Sequence, residues 1–215
     1  MFIKICCIGS KQEAALAASL GASAIGLVSK MPSGPGVIPE KLILEIASSV
    51  PGTMKTFLLT SLRNVEDIIK QQQRCNTNTI QLVDTLQNGT YEELKREFPE
   101  VTIVQVLHVI DETSLNEAGK LENNVDAILL DSGRPDLLTK ELGGTGRTHN
   151  WEISREIVKA VNIPVYIAGG LNPENVKSAI KFVKPSGVDV CSGVRSNGKL
   201  DKSKLFNFIS SVRSV

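Results

Sequence analysis

The sequence is poor in aromatic residues, histidine and cysteine, and each shortage excludes a class of function. Aromatic side chains make up 4% of the 215 residues, which argues against a stacking surface for nucleic-acid bases. The two histidines, His108 and His149, are too few for a multi-histidine metal centre, so we expect no metal. The cysteines fit neither a disulfide framework nor a zinc site of paired Cys-x-x-Cys motifs. They are Cys6, Cys7, Cys75 and Cys191.

An excess of one charge and long apolar runs are also missing. The formal net charge is +1, which gives no indication of a nucleic-acid partner or an acidic membrane surface. No apolar run approaches the roughly 18 residues that span a bilayer. The apolar start of the chain is too short and wrongly flanked for a signal peptide. We expect a cytoplasmic protein without nucleic-acid or membrane partners, and the sequence leaves the oligomeric state open.

The adjacent cysteines Cys6 and Cys7 fall in the first predicted strand. Neighbouring residues of a strand point to opposite faces, so these two thiols should not pair with each other. We expect one site residue and one packing residue here rather than a redox switch.

The organising signal of the sequence is alternation between short apolar, β-branched runs and helical stretches that begin with capping residues. Near-continuous apolar strands separated by helices predict a parallel sheet that is buried on both faces. Eight such units predict one (β/α)₈ TIM barrel over residues 1–215. A doubly wound open sheet is the alternative, but the regular units leave no room for a reversal of strand order. The predicted strands are residues 2–8, 24–28, 53–59, 79–83, 102–108, 127–131, 164–168 and 187–191.

Polar residues mark the C-terminal ends of these strands, where the active sites of such barrels lie. Strand one ends near Cys6, strand five at His108 and strand six at Asp131. Strands four and eight carry Gln81 and Asp189. We expect these side chains to meet at one barrel mouth.

Three glycine-rich segments follow strands six, seven and eight. Glycine lets backbone N–H groups approach an anion closely, and a phosphate site built from the loops after strands seven and eight recurs in barrels. The alternative is that these glycines only make tight turns. Two glycine loops on adjacent strand ends favour phosphate. The candidate residues are Gly144, Gly146, Gly169, Gly170, Ser192 and Gly193.

Cys6 and Asp131 could carry acid–base chemistry. A thiolate is a competent base when its pKa is depressed, and the cation of Lys4 could help. An aspartate at a strand end can be a general acid if its pKa is raised. The alternatives are a small buried hydrophobe for Cys6 and a cap or salt bridge for Asp131. The residues alone do not decide between these roles.

Five motifs, in order along the whole chain, resemble the phosphoribosylanthranilate isomerase family. They are Lys-Ile-Cys at 4–6, Ile-Leu-Leu-Asp-Ser at 128–132, Gly-Gly-Thr-Gly-Arg-Thr at 143–148, Ala-Gly-Gly-Leu-Asn-Pro-Glu-Asn-Val at 168–176 and Val-Asp-Val-Cys-Ser-Gly-Val at 188–194. The resemblance implies an Amadori rearrangement in tryptophan biosynthesis, in which an aminoaldose phosphate becomes an aminoketose phosphate without a metal or organic cofactor.

The resemblance also implies roles for individual residues. Asp131 would be the general acid that opens the ribose ring, and Cys6 the general base that removes the C2′ proton. Asp189 would contact the ribose hydroxyls. The phosphate of the small-molecule substrate would lie on the backbone around Gly144, Gly170, Ser192 and Gly193.

The sequence departs from the family where the anthranilate should lie. Pro35 stands where an arginine usually pairs with the anthranilate carboxylate, a strong type of contact. Val83 replaces a histidine, His108 lies near a usual arginine, and Arg195 replaces a glutamate. Either Arg195 or another cation substitutes for the missing arginine, or the barrel acts on a different aglycone. A non-catalytic barrel that binds a phosphate ligand is the third hypothesis.

Overall fold

The computed structural model describes residues 1–133 and 150–215. Eight parallel strands close into a barrel, and each strand pairs with its neighbours along the chain. β1 pairs with β8 to complete the circle, in the register Lys4 to Asp189 and Ile5 to Val190. The strands are β1 (Phe2–Ile5), β2 (Ala24–Val28), β3 (Lys55–Thr60), β4 (Thr79–Leu82), β5 (Thr102–His108), β6 (Ala127–Asp131), β7 (Val165–Ile167) and β8 (Gly187–Val190).

A helix lies between successive strands and a last one follows β8, so the predicted (β/α)₈ barrel is confirmed. Local signals place several helix starts: the side chain of Ser10 accepts from the N–H of Glu13, and Thr90 with Glu93 forms a capping box. The helices are α1 (Lys11–Leu20), α2 (Glu40–Ala47), α3 (Val65–Cys75), α4 (Tyr91–Glu97), α5 (Thr113–Leu121), α6 (Trp151–Ala160), α7 (Val176–Val183) and α8 (Lys202–Arg213).

Apolar side chains form two layers, one on each side of the barrel wall. Outward-facing residues such as Ile3 and Ile5 pack against the helices. Inward-facing residues such as Phe57 and Leu129 fill the barrel. Burial on both faces explains why the strands read as continuous apolar runs rather than as alternating ones. No helix in the described ranges is both long and apolar enough to cross a membrane.

The first and last parts of the barrel depart from the predicted bounds. β1 was predicted to reach residue 8 but ends at Ile5, because Cys7 has a left-handed backbone with φ of 61° that a strand cannot contain. After β8, a 3₁₀-helix (Ser192–Val194) leads into a short hairpin of β9 (Arg195–Ser196) and β10 (Lys199–Leu200). These irregular segments flank the barrel mouth.

Candidate active site

A cavity of about 700 Å³, measured out to its open mouth, lies at the C-terminal ends of the strands. This is the end at which barrels of this fold place their active sites. Apolar residues from β2, β3 and the loop after β2 line one wall, among them Val28, Leu59 and Met31. Seven of the predicted site residues also line the cavity: Cys6, Gln81, Asp131, Gly169, Gly170, Asp189 and Ser192.

Asp131 ends β6 and is buried in the cavity wall. Burial raises the pKa of its carboxyl group, and the carboxylate of Asp189 acts in the same direction. The N–H of Ser132, which donates to Oδ1 at 2.7 Å, the imidazole of His108 and the positive charge of Lys4 oppose that rise. The net pKa is above the ordinary value, so Asp131 tends to hold a proton. A proton held at a strand end is what a general acid requires.

Cys6 follows β1 and faces the same cavity. Its N–H donates to the carbonyl of Val190 at 2.8 Å, which fixes the backbone against β8. Gly26 of β2 leaves the space for the sulfur, because a Cβ at residue 26 would lie 2.9 Å from Cys6 Sγ and 3.2 Å from Lys4 Cε. The end of the Lys4 side chain is thus on the same side of the barrel as the Cys6 thiol.

Lys4 and Asp189 form a buried ion pair across the β1–β8 junction. Lys4 Nζ lies 2.8 Å from Asp189 Oδ2, and the two side chains are 2% and 8% exposed. Burial opposes the charge of Lys4, but Asp189 and the Cys6 sulfur raise its pKa above the ordinary value. Lys4 therefore stays positive and faces Phe57, with Nζ 5.1 Å from the ring centroid.

Two buried oxygen atoms beside the cavity have no hydrogen-bond partner among the described residues. They are Oδ1 of Asp189 and Oε1 of Gln81. An unpaired buried acceptor is costly, so such atoms indicate a group that a bound molecule satisfies. Two acceptors in one cavity suit the hydroxyl groups of a sugar.

The loops after β7 and β8 form the predicted phosphate side of the cavity. Gly169 and Gly170 both have positive φ, 75° and 62°, which only glycine adopts readily. Asn175 donates to the carbonyl of Gly170 at 2.9 Å and so holds this turn in place. A Cβ on Gly193 would overlap the carbonyl oxygen of Leu171, so the two loops pack in direct contact. Gly144 and Gly146 lie outside the described residues.

Arg195 does not line the central cavity, although we predicted that it could contact the substrate. Its guanidinium lies 3.1 Å from Oε1 of Glu13 and donates to the carbonyls of Cys6 and Cys7. Burial opposes the ionisation of Glu13, but Arg195 and the N–H groups of Gly9 and Leu200 hold its pKa below the ordinary value. The pair clamps the loop that carries Cys6, a role that the sequence did not suggest.

Cys7 also differs from our prediction. We expected it to face away from Cys6, yet both residues line the cavity. The left-handed backbone at Cys7 breaks the strand alternation and turns its side chain inward. Its Sγ lies 2.8 Å from Sγ of Cys191 and 3.7 Å from the carbonyl oxygen of Pro35. Cys7, which we expected to be a packing residue, and Cys191, which had no assigned role, are therefore both cavity residues.

Two of the residues that replace the family's usual aglycone contacts line the cavity. Pro35 and Val83 line it, whereas His108 lies behind Val83 with Nε2 3.1 Å from that residue's carbonyl oxygen. No lysine or arginine from the described ranges lines the cavity itself. The described wall on this side therefore presents no lysine or arginine to a carboxylate.

Comparison with known proteins gives a consistent result along the whole chain. Residues 3–211 match the sequence model of the family described as N-(5′-phosphoribosyl)anthranilate (PRA) isomerase. N-(5′-phosphoribosyl)anthranilate isomerase 2 of Methanosarcina mazei is 37% identical over 211 residues, which cover 97% of this chain and 92% of that protein. The isomerase of Methanosarcina acetivorans is 33% identical over 227 residues, 98% of this chain and 92% of the relative.

Solved structures agree with these sequence matches. N-(5′-phosphoribosyl)anthranilate isomerase from Pyrococcus furiosus superposes with a TM-score of 0.82 at 29% identity, with both chains fully covered. A phosphoribosylanthranilate isomerase in complex with reduced 1-(o-carboxyphenylamino)-1-deoxyribulose 5-phosphate superposes with a TM-score of 0.78 at 26% identity, again over both whole chains.

Proposed function

The chain belongs to the N-(5′-phosphoribosyl)anthranilate isomerase family, and from this membership we propose how its cavity carries out the family's reaction. The protein is an isomerase of tryptophan biosynthesis. It converts N-(5-phosphoribosyl)anthranilate into the corresponding carboxyphenylamino-deoxyribulose phosphate by an Amadori rearrangement. The observation that carries the assignment of roles is a buried carboxyl group with a raised pKa and a thiol beside a buried cation, both facing one cavity.

Asp131 begins the reaction as the general acid. The rise in its pKa favours the protonated carboxyl group, which donates its proton to the ribose ring oxygen. The C1′–O bond then breaks and the nitrogen lone pair forms a Schiff base at C1′. The ionised carboxylate that results lies near the imidazole of His108 and the positive charge of Lys4, which stabilise it.

Cys6 continues the reaction as the general base. The Schiff base makes the C2′ proton acidic, and the thiolate removes it to give an enolamine. Return of a proton to C1′ and loss of the C2′ hydroxyl proton produce the ketone. Lys4 supports the thiolate because its buried ammonium group, which is paired with Asp189, stays positively charged. Cys6 follows β1 and Asp131 ends β6. These two strands lie on different sides of the barrel, so the acid and the base can reach opposite sides of the substrate.

The glycine loops and the unpaired acceptors provide the binding contacts. We place the phosphate at the backbone N–H groups of Gly169, Gly170 and Gly193 with the hydroxyl of Ser192, and the ribose hydroxyls at Asp189 and Gln81. The positive φ at Gly169 and Gly170 and the two partnerless oxygens support this placement. Backbone N–H groups and fixed dipoles favour an anion without a lysine or arginine in contact.

A second candidate substrate has one observation in its favour. The described wall on the aglycone side presents Met31, Pro35 and Val83 and no cation, so an uncharged ring would fit it without leaving a carboxylate unpaired. In that case the barrel keeps the phosphate site and the acid–base pair but accepts a different phosphoribosylamine.

The deciding experiment follows the fluorescence of freshly generated phosphoribosylanthranilate with wild type, Cys6→Ser and Asp131→Asn. Turnover by wild type with a loss of at least about 100-fold in each variant supports the assigned roles. If wild type is inert while inorganic phosphate still binds, the different aglycone is favoured. If every phosphoribosylamine tested is inert and Cys6→Ala binds phosphate as wild type does, the barrel is a non-catalytic binding protein.

A further inference from the structure

Three cysteines meet at the barrel mouth, although the proposed reaction uses only one of them. Cys6, Cys7 and Cys191 all line the cavity. Cys7 and Cys191 are 184 residues apart in the sequence, yet their sulfur atoms are 2.8 Å apart. Neither of these two residues has an assigned part in the acid–base chemistry. The proposed reaction therefore does not explain why the sulfur atoms of Cys7 and Cys191 lie so close together.

The backbone places this pair within the reach of a covalent bond. β1 and β8 are hydrogen-bonded neighbours, with Ile5 opposite Val190, so Cys7 and Cys191 lie diagonally across the junction. Adjacent strands are about 4.8 Å apart, and a disulfide joins Cα atoms that are roughly 4.4 to 6.8 Å apart. The bond itself measures about 2.05 Å, so the sulfurs need to move by less than about 1 Å. The two strands can keep their pairing while the bond forms.

The surroundings divide the two thiols into an attacking and a resolving partner. The hydrogen bond with Cys7 lowers the pKa of Cys191, and the charge of Arg195 acts in the same direction against burial. The hydrogen bonds with Cys191 and Cys6, together with burial, raise the pKa of Cys7. Cys191 is only half-buried and lines the open cavity, so a small oxidant can reach it. A thiolate, rather than a thiol, is the nucleophile in such reactions.

We propose that Cys7 and Cys191 are a redox-active dithiol that a peroxide converts into a reversible disulfide across the β1–β8 junction. The Cys191 thiolate attacks one oxygen of the peroxide, the O–O bond breaks, and a sulfenic acid and hydroxide form. The Cys7 sulfur then attacks the Cys191 sulfur, the S–O bond breaks, and the hydroxyl group leaves as water with the Cys7 proton. With hydrogen peroxide, two thiols are oxidised to one disulfide and one peroxide is reduced to two waters.

The experiment treats the fully reduced, full-length protein with one equivalent of hydrogen peroxide and then with iodoacetamide. Intact mass should show two fewer alkylated thiols than in the untreated protein. Trypsin should release residues 5–11 linked to residues 182–195, and fragmentation should place the link at residue 7 rather than residue 6. Dithiothreitol should restore all four alkylated cysteines.

Matched variants make the result specific. Cys7→Ser and Cys191→Ser should each abolish the linked peptide, whereas Cys75→Ser, which removes a buried thiol outside the cavity, should leave it intact. Circular dichroism of the reduced variants checks that each one folds. Alkylation of both Cys7 and Cys191 after peroxide treatment would overturn the proposal, and so would a Cys6–Cys7 link in their place. The mass readout does not depend on turnover, so failure of the isomerase assay leaves this test unaffected.

Discussion

Lys4 and Asp189 allow a quantitative test of how the barrel interior is stabilised. Their charged atoms are 2.8 Å apart and both side chains are almost fully buried. With an effective dielectric constant of about 20, the Coulomb attraction at that distance is roughly 6 kcal/mol. Desolvation costs several kcal/mol for each ion, so the pair as a whole contributes little net free energy. Removing one partner is different, because it leaves the other charge buried without compensation.

Lys4→Met should therefore lower the free energy of unfolding by about 3–5 kcal/mol. Asp189→Leu should cost a similar amount, since it leaves the ammonium buried. The free energy of unfolding of the double variant Lys4→Met with Asp189→Leu should recover to within about 1 kcal/mol of wild type, because two apolar side chains replace two charges that are buried away from solvent. Urea denaturation at neutral pH measures all three values.

An exposed pair in the same protein supplies the control. Lys11 and Glu45 approach to 3.4 Å but are 50% and 43% exposed. Lys11→Met should change the free energy of unfolding by less than about 1 kcal/mol. If the Lys4 and Asp189 effects simply add in the double variant, the two charges are not coupled and the reasoning is refuted.

Three further predictions concern the cavity and its supports. Asp131→Asn should be more stable than wild type at pH 7 but equally stable below about pH 3.9. The reason is that the pKa of Asp131 is higher in the folded than in the unfolded protein, so its contribution to stability is complete below the unfolded-state pKa and is lost as pH rises through the folded-state pKa. Equal stability of the two proteins in denaturant at pH 7 would contradict this. Gly193→Ala should weaken inhibition by inorganic phosphate by about 10- to 100-fold, since the added methyl overlaps the Leu171 carbonyl and displaces the N–H donors, and unchanged inhibition would remove Gly193 from the phosphate site. Glu13→Gln should lower kcat by about 10- to 100-fold with a smaller change in KM, because it loosens the Arg195 clamp on the Cys6 carbonyl; a change confined to KM would argue for direct substrate contact instead.

The barrel itself was predictable because its signals are local and repeated. Apolar strand runs recur in every unit, and eight units close in only one common way. Local signals such as the cap Ser10 and the breaker Gly21 mark some of the helix ends. Strand ends then bring Cys6, Asp131 and Asp189 to one mouth. The positions of these three residues could be predicted from the sequence because each one lies at or near the C-terminal end of a predicted strand.

The residues that escaped prediction lie where the regular pattern stops. Cys7 was assigned to the wrong face because nothing in the local sequence Cys-Cys-Ile-Gly predicts a positive φ on a cysteine. Glu13 stands three residues after Ser10, a spacing that is typical of a capping box. Its carboxylate instead accepts from Gly9 and Leu200 and pairs with Arg195. The last two partners lie more than 180 residues away and are visible only in three dimensions.

The junction between β1 and β8 has a consequence for how the protein is made. The Lys4–Asp189 pair, the Cys7–Cys191 contact and the Glu13–Arg195 clamp all join the first strand region to the last one. A ribosome releases the first partner of each contact long before it synthesises the second. Contacts of such long sequence separation form late, after the entropy of closing the whole chain has been overcome. The nascent chain should therefore show no isomerase activity until its eighth strand docks. A chain that stops short of residue 187 should not form the cavity at the barrel mouth.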